Sequence, residues 1–276
     1  IEDSTATDSI TYQIEAINSD CEIKAAFWRV TEKKEGTPIE NYTAITSGKS
    51  GAGKDILVAV GSGGQLSIST EGRYWQLDQV GYINFESVHY HNGEWVAVGY
   101  KINENDEREC YLAQSANGYY WTYMQLQNSD GNAYYLNSIY GYNNQWIIVG
   151  NDGAVATRNI GETNWTVEQI GTNDLYAIHA DENQWVTVGA GIEGEGGLIA
   201  VLNHGGTKWN IQNIGEGSSY NDIYVNSNGM WMAVGTGGYV ATWKPGETEW
   251  SVNSIENIDF RSVFYQNGSW VATGNL

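Results

Sequence analysis

Residues Asn92–Gly99 read N-G-E-W-V-A-V-G, and close copies of this stretch return through most of the chain. A second series of tryptophans runs out of phase with the copies, so that every copy except the last is followed by its own second Trp. The pairs are Ile56–Gly61 with Trp75, Asn92–Gly99 with Trp121, Gln145–Gly150 with Trp165, Gln184–Gly189 with Trp209, and Met230–Gly235 with Trp250, and the last copy is Ser269–Gly274.

One repeat can be interpreted strand by strand. Phe85–His91 alternates and predicts an innermost strand, H-N-G-E predicts a hairpin turn, and Trp95–Tyr100 predicts a second strand with apolar residues on both faces. Tyr111–Ser115 and Trp121–Leu126 follow as the third and the outermost strand. Repeats of about 40 to 50 residues made of several short strands are typical of β-propeller blades, each of which lies between two neighbours.

The number of repeats predicts one all-β domain over residues 1–276, a six-bladed β-propeller of four-stranded antiparallel blades. Ile10–Ile17 and Glu22–Thr31, within residues 1–38, are expected to supply the two outer strands of the half blade, because this closure hides exposed edges. In the alternative, residues 1–38 form a small cap or extend to a neighbouring subunit, so that the chain polymerises. The complete blades are placed at 40–79, 83–127, 133–170, 174–214 and 218–254, and the half blade at 259–276.

The composition favours strands and argues against two classes of partner. The chain has 34 Gly, 12 Trp and 19 Tyr but only 3 Met, and its formal net charge is −20. Such a charge repels nucleic acid and anionic membrane surfaces, and no apolar run is long enough for membrane insertion. It suits solubility outside the cytoplasm, so the predicted location is extracellular or the surface of a cell or particle. No signal peptide opens the chain, and Ile1 is expected to be a mature or trimmed N-terminus.

Cysteine and histidine are too few for common metal sites. Cys21 and Cys110 allow at most one intramolecular disulfide, and acidic neighbours argue against a reactive thiol at either position. The sequence has no C-x-x-C motif and only 4 His, so we expect no metal and no cofactor.

The predicted turn between the third and the fourth strand has a signature of its own. Ser69–Trp75 reads S-T-E-G-R-Y-W and Ser115–Trp121 reads S-A-N-G-Y-Y-W, and looser versions stand at Asn159–Trp165, Asn203–Trp209 and Lys244–Trp250. These hairpins resemble the Asp-box or BNR repeat, Ser-x-Asp-(x)-Gly-x-Thr-Trp, of sialidase-like propellers. The resemblance implies that the Ser and the acid or amide hold the turn while the Trp packs between blades. No copy keeps the Asp, however, and three lose the Ser.

The resemblance does not extend to the catalytic residues of sialidases, which use an arginine triad and a Tyr/Glu pair. Of the five arginines, Arg73 and Arg158 fall on or beside the third-to-fourth turns, away from the catalytic face of that family. Neither a G-x-S-x-G nucleophile elbow nor a phosphate loop is present. Paired carboxylates of a glycosidase have no diagnostic spacing, so a glycoside hydrolase stays open as an alternative. We assign no catalytic residue.

These observations predict a non-enzymatic binding or adhesion propeller that recognises a glycan or a protein. One alternative is a structural subunit of a larger assembly, such as a virion decoration or a cell-surface appendage. It would use residues 1–38 or one face for self-association. The other alternative is the glycoside hydrolase.

Two sets of loop residues are the candidate sites. The connections between successive repeats carry short polar side chains and tyrosines that can hydrogen-bond and stack a ligand, although turns use the same residues. The long loop Lys101–Glu109 forms an acidic lip suited to cations or a basic partner, or else a solvated loop; its spacing matches no calcium loop. The connection candidates are Tyr82, Asn84, Asp130, Asn132, Asn173, Asp174, Tyr220 and Asp259, and the acidic-loop candidates are Glu104, Asp106, Glu107 and Glu109.

Overall fold

The computed structural model describes residues 10–14, 25–28, 42–126, 135–192, 195–216, 219–255 and 258–275, the first two stretches by their backbone alone. The chain divides into two compact units, one of residues 36–180 and one of residues 1–35 together with 181–276. Throughout the described part of the chain the only helical segments are three short 3₁₀ turns, at Ser62–Gly64, Asn151–Gly153 and Thr236–Gly238. No helix in these ranges is long and apolar enough to span a bilayer.

The strands, in chain order, are β1 (Ile10–Ile14), β2 (Ala25–Trp28), β3 (Tyr42–Lys49), β4 (Asp55–Gly61), β5 (Gln65–Ser69), β6 (Gln76–Gln79), β7 (Asn84–His91), β8 (Glu94–Ile102), β9 (Arg108–Ser115), β10 (Thr122–Gln125), β11 (Leu136–Tyr142), β12 (Gln145–Gly150), β13 (Ala154–Asn159), β14 (Thr166–Gln169), β15 (Leu175–Ala180), β16 (Gln184–Ile192), β17 (Gly196–Asn203), β18 (Asn210–Ile214), β19 (Tyr220–Val225), β20 (Trp231–Gly235), β21 (Tyr239–Trp243), β22 (Ser251–Ser254), β23 (Asp259–Gln266) and β24 (Ser269–Asn275).

The 36–180 unit contains three four-stranded antiparallel meanders and the strand β15. The meanders are β3-β4-β5-β6, β7-β8-β9-β10 and β11-β12-β13-β14. In the second meander the predicted strands agree with the observed ones to within three residues at each end.

The unit of residues 1–35 and 181–276 contains the antiparallel strands β16-β17-β18, the meander β19-β20-β21-β22 and a sheet of order β2-β1-β24-β23. In this last sheet β1 pairs with β24 from Ile10 opposite Gly274 to Ile14 opposite Trp270, and β2 pairs with β1. The two predicted N-terminal strands are thus present, in shorter form. Closure of a six-bladed ring stays a prediction.

The repeated motif N-G-E-W-V-A-V-G of Asn92–Gly99 and its copies form the second strand of each repeat, which is buried on both faces. Its tryptophans are almost wholly inaccessible, and the indole N–H groups of three of them donate to the innermost hairpin of the preceding repeat. Trp combines a large apolar ring, which is buried here, with an N–H group that needs an acceptor when it is buried. Packing and hydrogen bonding therefore explain the motif without a ligand. The pairs are Trp95 with the Lys49 carbonyl (3.0 Å), Trp146 with Glu94 Oε2 (2.9 Å) and Trp231 with Asp181 Oδ2 (3.1 Å).

A β-bulge near the start of the innermost strands links successive repeats. The pairing register shifts by one residue there, and the extra residue points its side chain to the next innermost strand. The side chain then donates to a backbone carbonyl of that strand. These donors are Thr43 Oγ1 to Phe85 O (2.6 Å), Asn137 Nδ2 to Leu175 O (2.8 Å) and Asn221 Nδ2 to Phe260 O (2.6 Å).

The two hairpins that keep the Ser are held by side-chain hydrogen bonds. Ser115 Oγ accepts from the backbone N–H of Asn117 (3.2 Å) and of Gly118 (2.9 Å). Trp121 Nε1 then donates to the Gly118 carbonyl (2.9 Å), and the hairpin of Ser69 repeats both features. The Ser and Trp therefore fix this turn, as the resemblance implies; kinship with the Asp-box propellers stays a prediction.

The looser hairpins are one residue longer than the sequence comparison assumes. Arg158 and Trp243 lie opposite the second-strand tryptophan, where the shorter hairpin has Ser115. Their side chains donate to the turn carbonyls of Glu162 (3.2 Å) and Glu247 (2.9 Å), respectively. The aligned residues Asn159, Asn203 and Lys244 are thus displaced by one position from the Ser.

Candidate functional site

Three of the candidate connection residues hold the 3₁₀ turns of the preceding repeat. Asn84 Oδ1, Asp174 Oδ1 and Asp259 Oδ1 each accept from the central N–H of one turn, at 3.0, 2.9 and 2.7 Å. The donors Gly63 and Asp152 have φ of 67° and 55°, a left-handed conformation that a hydrogen bond to the N–H stabilises. The turn interpretation accounts for these three side chains, and their role in ligand binding stays a prediction.

The other connection residues divide by exposure. Tyr220 is fully buried and its hydroxyl donates to the Ile214 carbonyl (3.3 Å), so this structure does not offer it to a ligand. Burial raises the pKa of its phenol. Asn173 is half-buried, and Asp130 and Asn132 lie outside the described residues. Tyr82 is 73% exposed and is the connection residue that a ligand can reach most readily.

The connection that contains Tyr82 approaches a pair of tyrosines on one face of the second meander. Gly81 has a φ of 60°, which favours Gly, and a Cβ on it would lie 2.7 Å from the Tyr123 ring, so the connection and β10 lie close together. Tyr123 is 49% exposed and its ring centroid lies 6.1 Å from that of Tyr111. Gly99 pairs with Tyr111 and Lys101 pairs with Glu109, which places these side chains on the same face.

Lys101 shows what these tyrosines can bind. Its ammonium nitrogen lies 4.3 Å from the Tyr111 ring centroid and 4.4 Å from that of Tyr123, within the range of a cation–π interaction. Tyr111 in turn donates from its hydroxyl to Glu109 Oε2 (3.1 Å). Burial, and secondarily this carboxylate, raise the pKa of Tyr111. We call Tyr82, Lys101, Glu109, Tyr111 and Tyr123 the tyrosine–carboxylate surface.

The acidic loop borders this surface and has a defined shape. Asn103 Oδ1 accepts from the backbone N–H of Asn105 (2.9 Å) and Glu107 (3.0 Å), and Asn103 Nδ2 donates to Glu107 Oε2 (3.1 Å). The other predicted loop acids, Glu104 and Asp106, are exposed, as is Glu107. The loop therefore presents three accessible carboxylates beside tyrosines. The sequence predicts the loop and Tyr82, but not Tyr111 and Tyr123, which reach them only by strand pairing.

The opposite face of the same hairpin carries a second cation on an aromatic ring. The Arg108 guanidinium lies 4.2 Å from the Tyr100 ring centroid and 6.0 Å from that of Tyr135. Glu86 lies nearby, and the pKa of its carboxyl is raised. The effect of burial outweighs the opposite effect of the Arg108 charge. Both faces of the hairpin thus combine tyrosine, a cation and a carboxylate.

Aromatic side chains also stack along three innermost strands of the 36–180 unit. The Tyr140 ring lies between His89 and His179, with centroid distances of 4.1 and 4.0 Å. Burial, followed by the neighbouring histidines, lowers the pKa of His89 to about 3, and burial lowers that of His179 to about 4. His91, two residues from His89, donates from Nε2 to the Asn143 carbonyl (2.7 Å). The lowered pKa values of His89 and His179 keep these two imidazoles neutral at physiological pH, and the rings serve packing.

Cys110 is buried and unpaired, and burial raises the pKa of its thiol to about 12. The thiolate is therefore inaccessible at neutral pH, in line with the expectation that this cysteine is unreactive. Cys21 lies outside the described residues.

A groove of 320 Å³ lies in the 181–276 unit, where sequence reasoning places no candidate. One wall is a face of β16, β17 and β18, and the other is the hairpin between β21 and β22. Clefts for small ligands span about 300 to 1,000 Å³, so this groove is at the lower end of that range. The residues that define it best are Gln184, Asn203, Asn210, Gln212, Trp243 and Trp250.

Repeated four-stranded antiparallel sheets with buried second strands define this chain as an all-β protein of the β-propeller class. It is similar to YCF48 bound to a D1 peptide, with a TM-score of 0.63 and 17% identity over 85% of this chain and 75% of that one. For YCF48 from Cyanidioschyzon merolae the TM-score is 0.57, with 10% identity over 84% of this chain and 95% of that one. For the C-terminal WD40 domain of Sif2 it is 0.60, with 12% identity over 98% and 76%.

At these identities the likeness shows the fold alone. No protein-family model matches the sequence, and no curated protein sequence matches it significantly.

Proposed function

We propose that this chain is a non-enzymatic recognition module that binds a basic segment of a partner protein on the tyrosine–carboxylate surface. The observation that carries the proposal is the position of Lys101, whose ammonium rests on Tyr111 and Tyr123 beside Glu109. A partner lysine or arginine would make the same contacts with the exposed faces of Tyr82 and Tyr123. Tyrosine-rich surfaces with few aliphatic residues are common in protein recognition.

Charge supports the same partner. The chain carries a formal net charge of −20, and Glu104, Asp106 and Glu107 are exposed at the edge of the surface. Such a field attracts basic segments and repels acidic ones, which gives both a faster association and a preference between partners. YCF48 has the same fold and is a protein that binds a peptide, which makes a peptide-binding role reasonable here.

An array of synthetic peptides, probed with the full chain, tests the proposal. We expect peptides rich in Lys and Arg to bind, acidic peptides of equal length not to bind, and binding to weaken as salt is added. Tyr123→Ala is expected to weaken binding of the best basic peptide about tenfold, since it removes an aromatic contact. Glu107→Gln is expected to weaken it less.

The matched control is Tyr120→Ala. Tyr120 is 82% exposed on the turn at the other end of β9, and its loss should leave peptide binding unchanged. Equal binding of basic and acidic peptides, or equal effects of Tyr123→Ala and Tyr120→Ala, would overturn the proposal.

We also propose three further parts of the functional hypothesis. The first is a six-bladed ring closed by the N-terminal strands, which the pairing of β1 with β24 supports. The second is a location outside the cytoplasm or on a particle surface, which the acidic composition supports. The third is glycan recognition, which exposed connection residues such as Tyr82 support. Self-association through residues 1–38 and a glycoside hydrolase activity remain the alternatives.

A further inference from the structure

We propose that the groove between the β16-β17-β18 face and the β21–β22 hairpin binds a neutral glycan. This site is separate in sequence and in residues from the tyrosine–carboxylate surface. The inference rests on three properties of the groove: a tryptophan ring that no described residue covers, a row of amide side chains with no hydrogen-bond partner among the described residues, and a balance of charge.

The first property is that the Trp250 ring is available. In the corresponding hairpin of the 36–180 unit, the Arg158 guanidinium covers the Trp165 ring, 4.9 Å from its centroid. Trp243 replaces that arginine in the last complete hairpin, and its N–H donates to the Glu247 carbonyl (2.9 Å). Within the described residues no cation and no ring covers Trp250, which is only half-buried. Two indoles thus border an open groove, and a flat apolar ring face packs well on the C–H face of a sugar.

The second property is a row of amides on the facing wall. Gln184 pairs with Asn203, and Asn210 pairs with Val201, two residues before Asn203. Gln212 follows two residues after Asn210, so that all four amides project from the same face. Across the described ranges none of these four side chains hydrogen-bonds within the protein. Each amide both donates and accepts, as does each sugar hydroxyl.

The third property is charge. Besides the amides and indoles, Lys208 and Glu247 line the groove, so its charged side chains balance. The chain as a whole is strongly acidic, which disfavours phosphate, sulfate and sialic acid. A ligand with alternating C–H faces and hydroxyls and no charge fits this lining, and that description defines a neutral glycan.

An array of immobilised oligosaccharides, probed with the labelled full chain, tests the site. We expect binding to a subset of the neutral glucose-, galactose- or mannose-containing probes and weaker or absent binding to sialylated and sulfated ones. For the best neutral probe, titration calorimetry should show that Gln212→Ala and Trp250→Ala each weaken binding about tenfold or more. Gln212 lies on the outermost strand of its sheet, and its side chain makes no hydrogen bond within the described residues, so its variant stays informative even where Trp250→Ala fails to fold.

The matched controls are Gln76→Ala and Trp75→Ala. Gln76 occupies on β6 the register position that Asn210 occupies on β18, and Trp75 ends the first hairpin as Trp250 ends the last. Both controls should bind the sugar as the wild type does. No binding to any neutral probe at millimolar concentration overturns the inference, as do a preference for acidic sugars and binding that survives Gln212→Ala. Basic peptides should bind the groove variants normally, so that failure here is distinguishable from failure of the peptide-binding proposal.

Discussion

His89 and His179 lie on the two sides of the Tyr140 ring and make stability depend on pH. Their native pKa values, about 3 and about 4, lie below the ordinary 6.5, so the unfolded chain takes up protons first as the pH falls. Their contribution to stability is therefore complete above about pH 6.5 and is lost as the pH falls towards 4 and 3. Each histidine adds up to about 1.4 kcal/mol per pH unit to this slope.

Urea unfolding of the full chain between pH 7 and pH 4 measures the effect. His89→Gln and His179→Gln should each reduce the rise of the unfolding free energy with pH. Asp222 acts in the opposite sense, since burial raises the pKa of its carboxyl to about 6 and its contribution is lost as the pH rises from 3.8 to 6. Asp222→Asn should therefore steepen the rise. An unchanged slope in both histidine variants would contradict the assignment.

At the scale of elements, an ion pair between a buried arginine and a glutamate that is 25% exposed connects the β7–β8 hairpin to β12 and β13. Glu94 Oε2 accepts from Arg158 Nη2 (2.6 Å) and from Trp146 Nε1 (2.9 Å), and the Arg158 side chain is only 4% exposed. Glu94→Ala should lower the free energy of unfolding by about 3 kcal/mol, because it leaves a buried guanidinium with the Glu162 carbonyl but without its carboxylate partner. Urea unfolding at neutral pH checks this value.

The exposed pair Lys49–Asp55 provides the control for that variant. Its atoms are also 2.6 Å apart, but the two side chains are 50% and 83% exposed. Asp55→Ala should therefore cost less than about 1 kcal/mol. If the two variants lose equal stability, Glu94 does not compensate a buried charge, and apolar packing alone holds the β7–β8 hairpin against β12 and β13.

The same scale shows why the sequence predicts some features and misses others. The strands of the second repeat follow from alternation and from turn residues such as Asn92-Gly93, which are local signals. The longer hairpins between the third and fourth strands cannot be recognised by aligning the sequence. Arg158 is seen to occupy the position of Ser115 only when its pairing with Trp146 is known. Register is a property of two strands, and a one-residue shift is invisible in either strand alone.

At the scale of the whole molecule, the candidate sites differ in predictability for the same reason. Glu104, Asp106 and Tyr82 lie in long or irregular connections. These connections can be recognised in the sequence because they interrupt the repeat. Trp250 and Gln212 belong to the regular part of the repeat, where Trp and Gln are ordinary residues, so the sequence does not mark them as a site. Their significance comes from the space between two hairpins, which depends on what the neighbouring side chains fill. The repeated motif determines which residues are buried inside a repeat, whereas the space between neighbouring hairpins depends on the particular side chains that line it.

The N-terminal strands give the whole molecule its clearest test. β1 pairs with β24 along Ile10–Ile14, so removal of residues 1–38 leaves the N–H and C=O groups of one edge of β24 unpaired. An exposed edge of this kind recruits other chains. We expect the full chain to be monomeric by multi-angle light scattering, and the chain lacking residues 1–38 to lose thermal stability and to associate as concentration rises. A chain lacking only residues 1–9, which keeps β1 and β2, should behave like the full chain. Oligomers of the full chain that vanish on the larger truncation would favour strand exchange between subunits. A truncated chain that is monomeric and equally stable would contradict closure by these strands, because a lost edge pairing must appear either as lost stability or as new association.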